Sequence, residues 1–261
     1  SLVWKEGWSQ KPLQVAVAEL EKLRTPAMGL LPQGELANSP TEPLMIPKGV
    51  FGGLSEQMLI GEMNSPTLVR FLPDPVGEVS QGAAIPFLRT GALGAGNHRM
   101  SFTPDGSLWV AKTHLSWAGG EGLVRVRLKE GAADFIAIDR VELTSRGFSL
   151  GFTQPVDPES LRKVEITRHT YKYHAGYGSP KVDKQNVAIK TTSLSAEGRS
   201  CVINFKNTGD LKSGYLYTLR LPEVRSNSGK LLMGDTVYYT LHAKRSVSYT
   251  HLRAHETADN L

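Results

Sequence analysis

The chain has almost no cysteine and no long hydrophobic run. Cys201 is the single cysteine among 261 residues, which excludes an internal disulfide and a zinc site built from several cysteines. The segment around it, RSCVINF, alternates like a strand, so we expect a buried thiol that acts as a small hydrophobic group. No stretch approaches the roughly 18 apolar residues that span a bilayer, so no membrane span is expected.

Clusters of positive charge are also missing. The net charge of +5 would suit an anionic partner, but the lysines and arginines are scattered along the chain. The glycine-rich segment 91–97, GALGAGN, leads into a strand rather than a helix, so it lacks the helix terminus that binds phosphate. The sequence therefore predicts neither a nucleic-acid-binding protein nor a nucleotide site.

The two ends of the sequence contribute nothing to a site. The chain opens at Ser1 without a methionine and shows no signal peptide, and we expect a fragment of a longer protein. Residues 246–261 lose all strand periodicity and resemble a translated sequencing adapter, so we predict a non-native or disordered tail. His251 and His255 are excluded from the candidate residues for this reason.

What the sequence does contain is many short apolar segments between turns. It has 26 glycines and 15 prolines, and only residues 12–24 have much helical character. Seven segments of the first half have the length of strands. They are 43–46, 57–63, 67–72, 83–88, 98–102, 107–113 and 122–128. A similar group of strands recurs after about fifty residues, which is typical of propeller blades.

The second half changes character near Asp134. Two alternating strands around Arg146 and Gly147 precede further strand-like segments that are joined by SAEG and SNSG turns. This spacing predicts an immunoglobulin-like β-sandwich over 134–243. With propeller blades over 1–130, the predicted fold class is all-β, in two domains.

The segment 97–122, NHRMSFTPDGSLWVAKTHLSWAGGEG, is part of the candidate site. Its TPDG sequence has proline and glycine where a type I turn needs them, and so predicts a hairpin. In a propeller blade the loops before and after such a hairpin lie on one face, beside the central channel. We expect polar side chains to converge there and to form a binding site. These side chains are Asn38, Glu62, Asn64, Asn97, His98, Arg99, His114 and Trp117.

The charged candidates each have a structural alternative. Arg99 can hold a carboxylate or carbonyl oxygen through two parallel bonds, or it can form a salt bridge between blades. His98 and His114 can serve as a base, a metal ligand or a hydrogen-bond donor to a sugar, or they can bond to neighbouring backbone.

The other candidate residues also allow more than one interpretation. Trp117 can stack on a sugar or planar cofactor, or it can cover the channel edge. Glu62 and Asn64 offer oxygens that suit calcium, but they are too few for a metal site, and no metal is assigned to them. In the basic and aromatic segment RHTYKYHAGYGSPK, alternation places His169, Tyr171 and Tyr173 on one face, so we expect packing or domain docking there rather than nucleic-acid binding.

Several long motifs resemble one family of proteins. They are LEKLRTPAMGLLPQGELANSPTEPL, GEMNSPTLVR, QGAAIPF, the 97–122 segment and YHAGYGSPKVDKQ, and the similarity covers roughly residues 1–245. The chain resembles secreted propeller proteins of planctomycete and verrucomicrobial type. Those proteins are related to the soluble pyrroloquinoline-quinone (PQQ) sugar dehydrogenases of the glucose and sorbosone type.

The resemblance implies the last blades of a six-bladed propeller, followed by the sandwich, in a periplasmic or extracellular protein. It also implies a parent oxidoreductase of sugars or alcohols that uses PQQ and calcium, carries c-type haem in a further domain and passes electrons to a cytochrome. The cofactor-binding candidates are then Arg99, His98 and Trp117, and the substrate-binding candidates are Asn64, Asn97, His114 and Glu62.

No residue of this chain inherits the catalytic role. In the quinoprotein relatives the catalytic histidine lies in an early blade, which precedes the part that this chain resembles. We therefore expect the fragment itself to be inactive. The alternative is a noncatalytic propeller and sandwich that binds polysaccharide or a protein partner, because propellers host both kinds of function.

Overall fold

The computed structural model describes residues 19, 22, 25–54, 56–116, 118–128, 135–172 and 178–245. The helix predicted at 12–24 is described only at Glu19 and Lys22, which are helical and form an ion pair. The tail predicted at 246–261 lies outside the described residues. None of the helices in the described part is long and apolar enough to cross a membrane.

Strands dominate the described residues. In chain order they are β1 (Pro40–Met45), β2 (Met58–Glu62), β3 (Thr67–Pro73), β4 (Gly82–Arg89), β5 (Asn97–Phe102), β6 (Leu108–Lys112), β7 (His114–Leu115), β8 (Ala118–Gly119), β9 (Leu123–Val126), β10 (Ile136–Leu143), β11 (Gly147–Phe152), β12 (Glu165–Tyr171), β13 (Lys181–Asn186), β14 (Ile189–Leu194), β15 (Ser200–Phe205), β16 (Tyr215–Arg220), β17 (Leu232–Met233) and β18 (Thr236–Leu241). Short 3-10 helices cover Gly52–Leu54, Pro158–Lys163 and Thr208–Asp210. The predicted all-β class is confirmed.

The described strands form four sheets. An antiparallel eight-stranded sheet has the order β1-β2-β3-β4-β18-β16-β12-β13. A five-stranded sheet has the order β14-β15-β11-β10-β17 and is antiparallel except for the pair β10 and β17. The smaller sheets are β5-β6-β9 and β7-β8.

The first half of the chain packs two sheets around one core. The three-stranded sheet covers the β1 to β4 end of the eight-stranded sheet, with Leu59 and Leu68 facing Leu108 and Val110. Alternation explains this arrangement, because Leu108 and Val110 are buried while Trp109 between them is half-buried. All seven strands predicted in this half are present, with ends displaced by a few residues at most.

The second half contains a larger core between the five-stranded sheet and the β18-β16-β12 part of the eight-stranded sheet. The Phe148 ring lies at its centre, with its centroid 4.9 Å from that of Tyr239 and 5.6 Å from that of Tyr217. Cys201 is fully buried in this core, as predicted, and burial raises the pKa of its thiol to about 12.

One sheet crosses the boundary that was predicted between residues 130 and 134. β4 pairs with β18 through Ala83 and Tyr239, and Ala83 and Ile85 belong to the core of the second half. The strands that follow residue 134 therefore share one sheet with strands of the first half. The first residues of β4 are buried, and an apolar strand of this kind carries no local sign of which strand it will pair with.

The segment before β1 covers the outer face of the eight-stranded sheet. Leu36 packs there with Val69, Phe71, Leu216 and Tyr238 in a third buried cluster. This segment leads directly into β1, and so it brings residues 38–42 to the edge of the molecule where the candidate site lies.

Candidate functional site

The hairpin at the centre of the candidate site forms as predicted. β5 pairs with β6, and the Gly106 N–H donates to the Thr103 carbonyl at 2.9 Å, which closes the four-residue turn. The Asp105 carboxylate accepts hydrogen bonds from Thr103 and Ser107, and these bonds hold the pKa of Asp105 below its usual value. Gly106 has φ +76°, a conformation that glycine adopts without strain.

The other end of the hairpin meets two loops. The Gly96 N–H donates to the Met63 carbonyl, and the Thr113 N–H donates to the Gly96 carbonyl, both at 2.9 Å. The 62–66 turn, the 91–96 loop and Thr113 therefore meet at the end of β5 and β6 that lies opposite the TPDG turn.

Glu62 holds the loops at this end together. Its carboxylate is buried and accepts the backbone N–H groups of Asn38 at 3.0 Å, of Ser39 at 2.8 Å, and of Ser65. Burial raises the pKa of Glu62, but these hydrogen bonds outweigh it and keep the pKa below its ordinary value. The carboxylate oxygens are thus occupied by the protein's own backbone.

Asn97 also holds these loops together. Its buried side-chain amide donates to the carbonyl groups of Glu62 at 3.2 Å, Ser65 at 3.3 Å and Gly94 at 3.0 Å. Lys112 donates to Asn97 Oδ1 and to the carbonyl groups of Leu93 and Ala95. This network fixes the shape of the 91–96 loop. The side chains of Asn97 and Lys112 both bond to groups of the protein itself and are not directed to a ligand.

A solvent-accessible cavity of about 410 Å³ lies beside this network, and we call it the rim groove. It lies between the start of β1, the start of β5 and the region of Thr113. Its lining residues are Ser39, Pro40, Thr41, Glu42, Met63, His98, Arg99, Thr113 and Leu115. Two of the predicted site residues, His98 and Arg99, are therefore brought together in one groove.

Arg99 forms an ion pair across the groove. Its Nη1 lies 2.8 Å from Oε2 of Glu42, and the two side chains are 61% and 55% exposed. An exposed pair of this kind contributes little to stability. It presents guanidinium donors beside carboxylate acceptors, with no net charge.

Asn38, Asn64 and His114 are not among the residues that line the groove. His114 and Asn64 are exposed, and His114 belongs to the small β7-β8 pair, in which it is opposite Gly119. The Asn38 side chain accepts the Gly34 N–H at 2.7 Å. Trp117 lies outside the described residues.

The arrangement is suited to hydrogen bonding with a polar ligand. The groove offers the Ser39, Thr41 and Thr113 hydroxyl groups, together with one charge-compensated pair and an imidazole. Among the described residues, no group of three or more His, Cys, Asp and Glu side chains lies close enough to hold a metal ion.

Sequence reasoning missed the partner of Arg99. Glu42 lies in the motif ANSPTEPL, between two prolines, where strand alternation is hard to read. Thr41 was missed for the same reason, and its hydroxyl donates to the Asn97 carbonyl at 3.0 Å. The position of polar residues between two prolines, at the edge of a sheet, is the only local feature of the sequence from which Glu42 and Thr41 could have been predicted.

Two buried arginines were also missed. Arg70 is fully buried and donates to Gln57 Oε1 at 2.6 Å and to the Ile138 carbonyl at 2.7 Å, and burial lowers its pKa to about 9. Arg168 is 2% exposed and lies over the Tyr215 ring. The signal for Arg70 was present in TLVRFL, where alternation places it on the same face as Leu68 and Leu72.

Comparisons with known proteins give no relative. No protein-family model, no curated protein and no solved structure matches this chain.

Proposed function

We propose that the chain is a noncatalytic binding module and that its rim groove binds a neutral saccharide. The ion pair between Arg99 and Glu42 is the observation that carries this proposal. The Arg99 guanidinium can donate to one hydroxyl of a sugar, while the Glu42 carboxylate beside it accepts from the next hydroxyl. The hydroxyl groups of Thr41 and Thr113 extend the same polar surface.

The charge balance of the groove favours a neutral ligand over an anionic one. A ligand carboxylate that approached Arg99 would also lie close to the negative charge of Glu42. The two carboxylates would repel each other. A sugar hydroxyl has no such cost. Because both side chains are more than half exposed, they can rearrange around a ligand without disturbing a buried core.

The occupied side chains of Glu62 and Asn97 support a binding role rather than a catalytic one. General acid–base chemistry on a sugar needs a proton acceptor within hydrogen-bond reach of the reacting hydroxyl. Glu62 is buried and accepts backbone N–H groups, and Glu42 is the single carboxylate among the residues that line the groove. His98 is the remaining titratable group among the residues that line the groove.

A second candidate is the last part of a PQQ-dependent sugar or alcohol dehydrogenase. The position of His98 and Arg99 in one groove favours it, because the resemblance assigns both to the quinone. The fit is poor, since Glu42 opposes the quinone carboxylates and, among the described residues, no group of three or more His, Cys, Asp and Glu side chains is placed to hold calcium. The propeller blades and the immunoglobulin-like sandwich rest on the strand spacing and on the sequence resemblance. The c-type haem, a cytochrome partner and the periplasmic or extracellular location rest on the resemblance alone.

The proposal is tested by screening the chain against an array of neutral and acidic oligosaccharides, followed by calorimetric titration with the best neutral ligand. Arg99→Ala is expected to weaken binding of that ligand by about tenfold or more, because a hydrogen bond to a charged group is lost. The melting temperature is expected to stay within about 2 °C, since an exposed pair contributes little to stability. Arg162→Ala is the matched control, because Arg162 is also exposed and paired with a carboxylate.

A separate titration with PQQ and calcium distinguishes the two candidates. If PQQ binds, and Glu42→Gln tightens that binding, the dehydrogenase is favoured and the neutral-saccharide proposal fails. An Arg99→Ala variant that binds the neutral sugar unchanged also overturns it.

A further inference from the structure

A second groove, far along the chain from the first, has a different electrostatic character. We call it the basic groove. It has a volume of about 450 Å³, and its polar lining residues are Arg146, Lys190, Lys206, Thr191, Asn204 and Thr208. Three cationic side chains line it and no acidic side chain does, so the local charge is strongly positive.

These three cations differ from the arginines that carry ion pairs elsewhere in the described chain. Arg99, Arg125, Arg225 and Arg245 each form an ion pair with a carboxylate. Within the described residues, none of the three cations of the basic groove has a carboxylate partner. Their mutual repulsion is therefore uncompensated until an anion binds between them.

The backbone holds the three cations close together. The Phe205 N–H donates to the Arg146 carbonyl at 2.8 Å, and the Lys206 N–H donates to the Ala188 carbonyl at 2.7 Å. A shift in the pairing of β14 and β15 between Ile189 and Thr191 places Lys190 at an irregularity of the strand. Three separate segments thus deliver one cation each to the same groove.

Gly147 makes this approach possible. A Cβ atom at position 147 would lie 2.0 Å from the Ile203 carbonyl oxygen, so only glycine lets the turn before β11 approach β15 so closely. The position of Arg146 beside Phe205 depends on that contact.

We propose that the basic groove binds an acidic oligosaccharide through its sulfate or carboxylate groups. Charge-assisted hydrogen bonds from the three cations would hold those groups. The hydroxyl groups of Thr191 and Thr208 and the Asn204 amide add partners for the sugar hydroxyls. The inference stands on a different site from the rim groove and does not depend on the function proposed for it.

The lining residues favour a saccharide over a nucleic acid. Single-stranded nucleic acids are held by aromatic side chains that stack on the bases, in addition to positive charge. Phe205 is the single aromatic residue of the groove, and it is only 2% exposed. Its ring packs into the core beside Phe148 and so offers no free face.

The test measures binding of the chain to three immobilised polysaccharides: dextran sulfate, polygalacturonate and unmodified dextran. We expect binding to one or both of the acidic polymers, with affinity falling as salt rises from about 50 to 500 mM, and none to dextran. The double variant Lys190→Gln/Lys206→Gln is expected to lose about tenfold per removed cation. Comparing the sulfated polymer with the uronate tells which anionic group the groove takes.

The matched control is Lys48→Gln/Lys184→Gln, which removes the same charge at two exposed lysines outside the groove. Equal losses in the two double variants would show general attraction between charges, and the proposal would fail. It would fail equally if neither acidic polymer bound, or if single-stranded DNA bound more tightly than both. Arg99→Ala is expected to leave this binding unchanged, and so it separates the basic groove from the rim groove.

Discussion

At the scale of single residues, the polar groups that sequence reasoning assigned to a ligand divide into two kinds. Glu62 and Asn97 are buried and bond to backbone groups of neighbouring loops, whereas His98 and Arg99 face a groove. The two kinds differ because a polar group that is buried needs hydrogen-bond partners within the protein. A buried carboxylate, in particular, is stable only with several donors around it. Glu62 has such donors, and so it supports the site without facing the ligand.

Glu62→Gln is therefore expected to reduce the free energy of unfolding by about 2 kcal/mol at pH 7, because the amide is uncharged and turns a donor towards backbone donors. The pKa of Glu62 is lower in the folded chain than its ordinary value of 4.5. Its stabilisation is thus complete above that value and is lost as the pH falls through the folded pKa. Urea unfolding between pH 3 and 7 measures this.

The control for this experiment is Glu78→Gln, at an exposed position between Val76 and Val79. We expect it to unfold like the original chain at every pH. If the Glu62 and Glu78 variants behave alike, the carboxylate of Glu62 does not hold the loops.

At the scale of elements, the glycine-rich loop 91–96 owes its sequence to close packing. Gly96 has φ +84°, and a Cβ there would lie 2.3 Å from the Gly120 nitrogen. This close approach lets Gly96 bond to both Met63 and Thr113, and these residues line the rim groove. The loop therefore holds Met63 and Thr113 in place and so positions the rim groove.

Gly96→Ala is expected to destabilise the chain by about 2–3 kcal/mol, because it combines an unfavourable φ with a clash against backbone. We also expect weaker saccharide binding in the rim groove, since Met63 and Thr113 would shift. Gly91→Ala is the matched control in the same loop, where a Cβ would meet nothing within 4 Å. Its melting temperature should equal that of the original chain, and a similar loss in both variants would contradict the argument.

At the scale of the whole molecule, Asp74 joins the two halves of the chain. It follows β3, and its Oδ2 accepts the Tyr239 hydroxyl of β18 at 2.6 Å and the Leu143 N–H of β10 at 2.7 Å. Arg245 pairs with its other oxygen. With the pairing of β4 and β18, this contact makes the two cores parts of one structure.

The chain is therefore expected to unfold in a single transition. All four tryptophans, the last of them Trp117, lie in the first half, and all eight tyrosines, from Tyr171 onward, lie in the second. Tryptophan fluorescence and the near-ultraviolet circular dichroism of tyrosine therefore report on the two halves separately. Asp74→Asn should shift both transitions together, by about 2 kcal/mol.

Asp235→Asn, at an exposed position, is the control and should move neither signal. Two separate transitions in the original chain would show that the halves fold independently. A variant at Asp74 that moves only one transition would contradict the coupling.

The sequence by itself determined the local features of this protein. Alternation of apolar residues in segments such as SLWVAKT predicted strands, and TPDG predicted their turn, because both signals act between neighbours in the chain. The burial of Cys201 and the shared face of His169 and Tyr171 follow from the same alternation, and the two rings lie 5.0 Å apart. The polar strand β13 was not predicted, since an exposed edge strand has no apolar face to reveal it.

Tertiary structure alone decided how these elements combine. The pairing of β4 with β18 and the ion pair of Glu42 with Arg99 join residues that are distant in sequence and that show no local sign of each other. The basic groove has the same origin, because Arg146, Lys190 and Lys206 are scattered in the sequence and meet only when β11, β14 and β15 pair. Backbone pairing over long separations depends on the whole set of strands competing for partners, and no single segment of sequence contains that information.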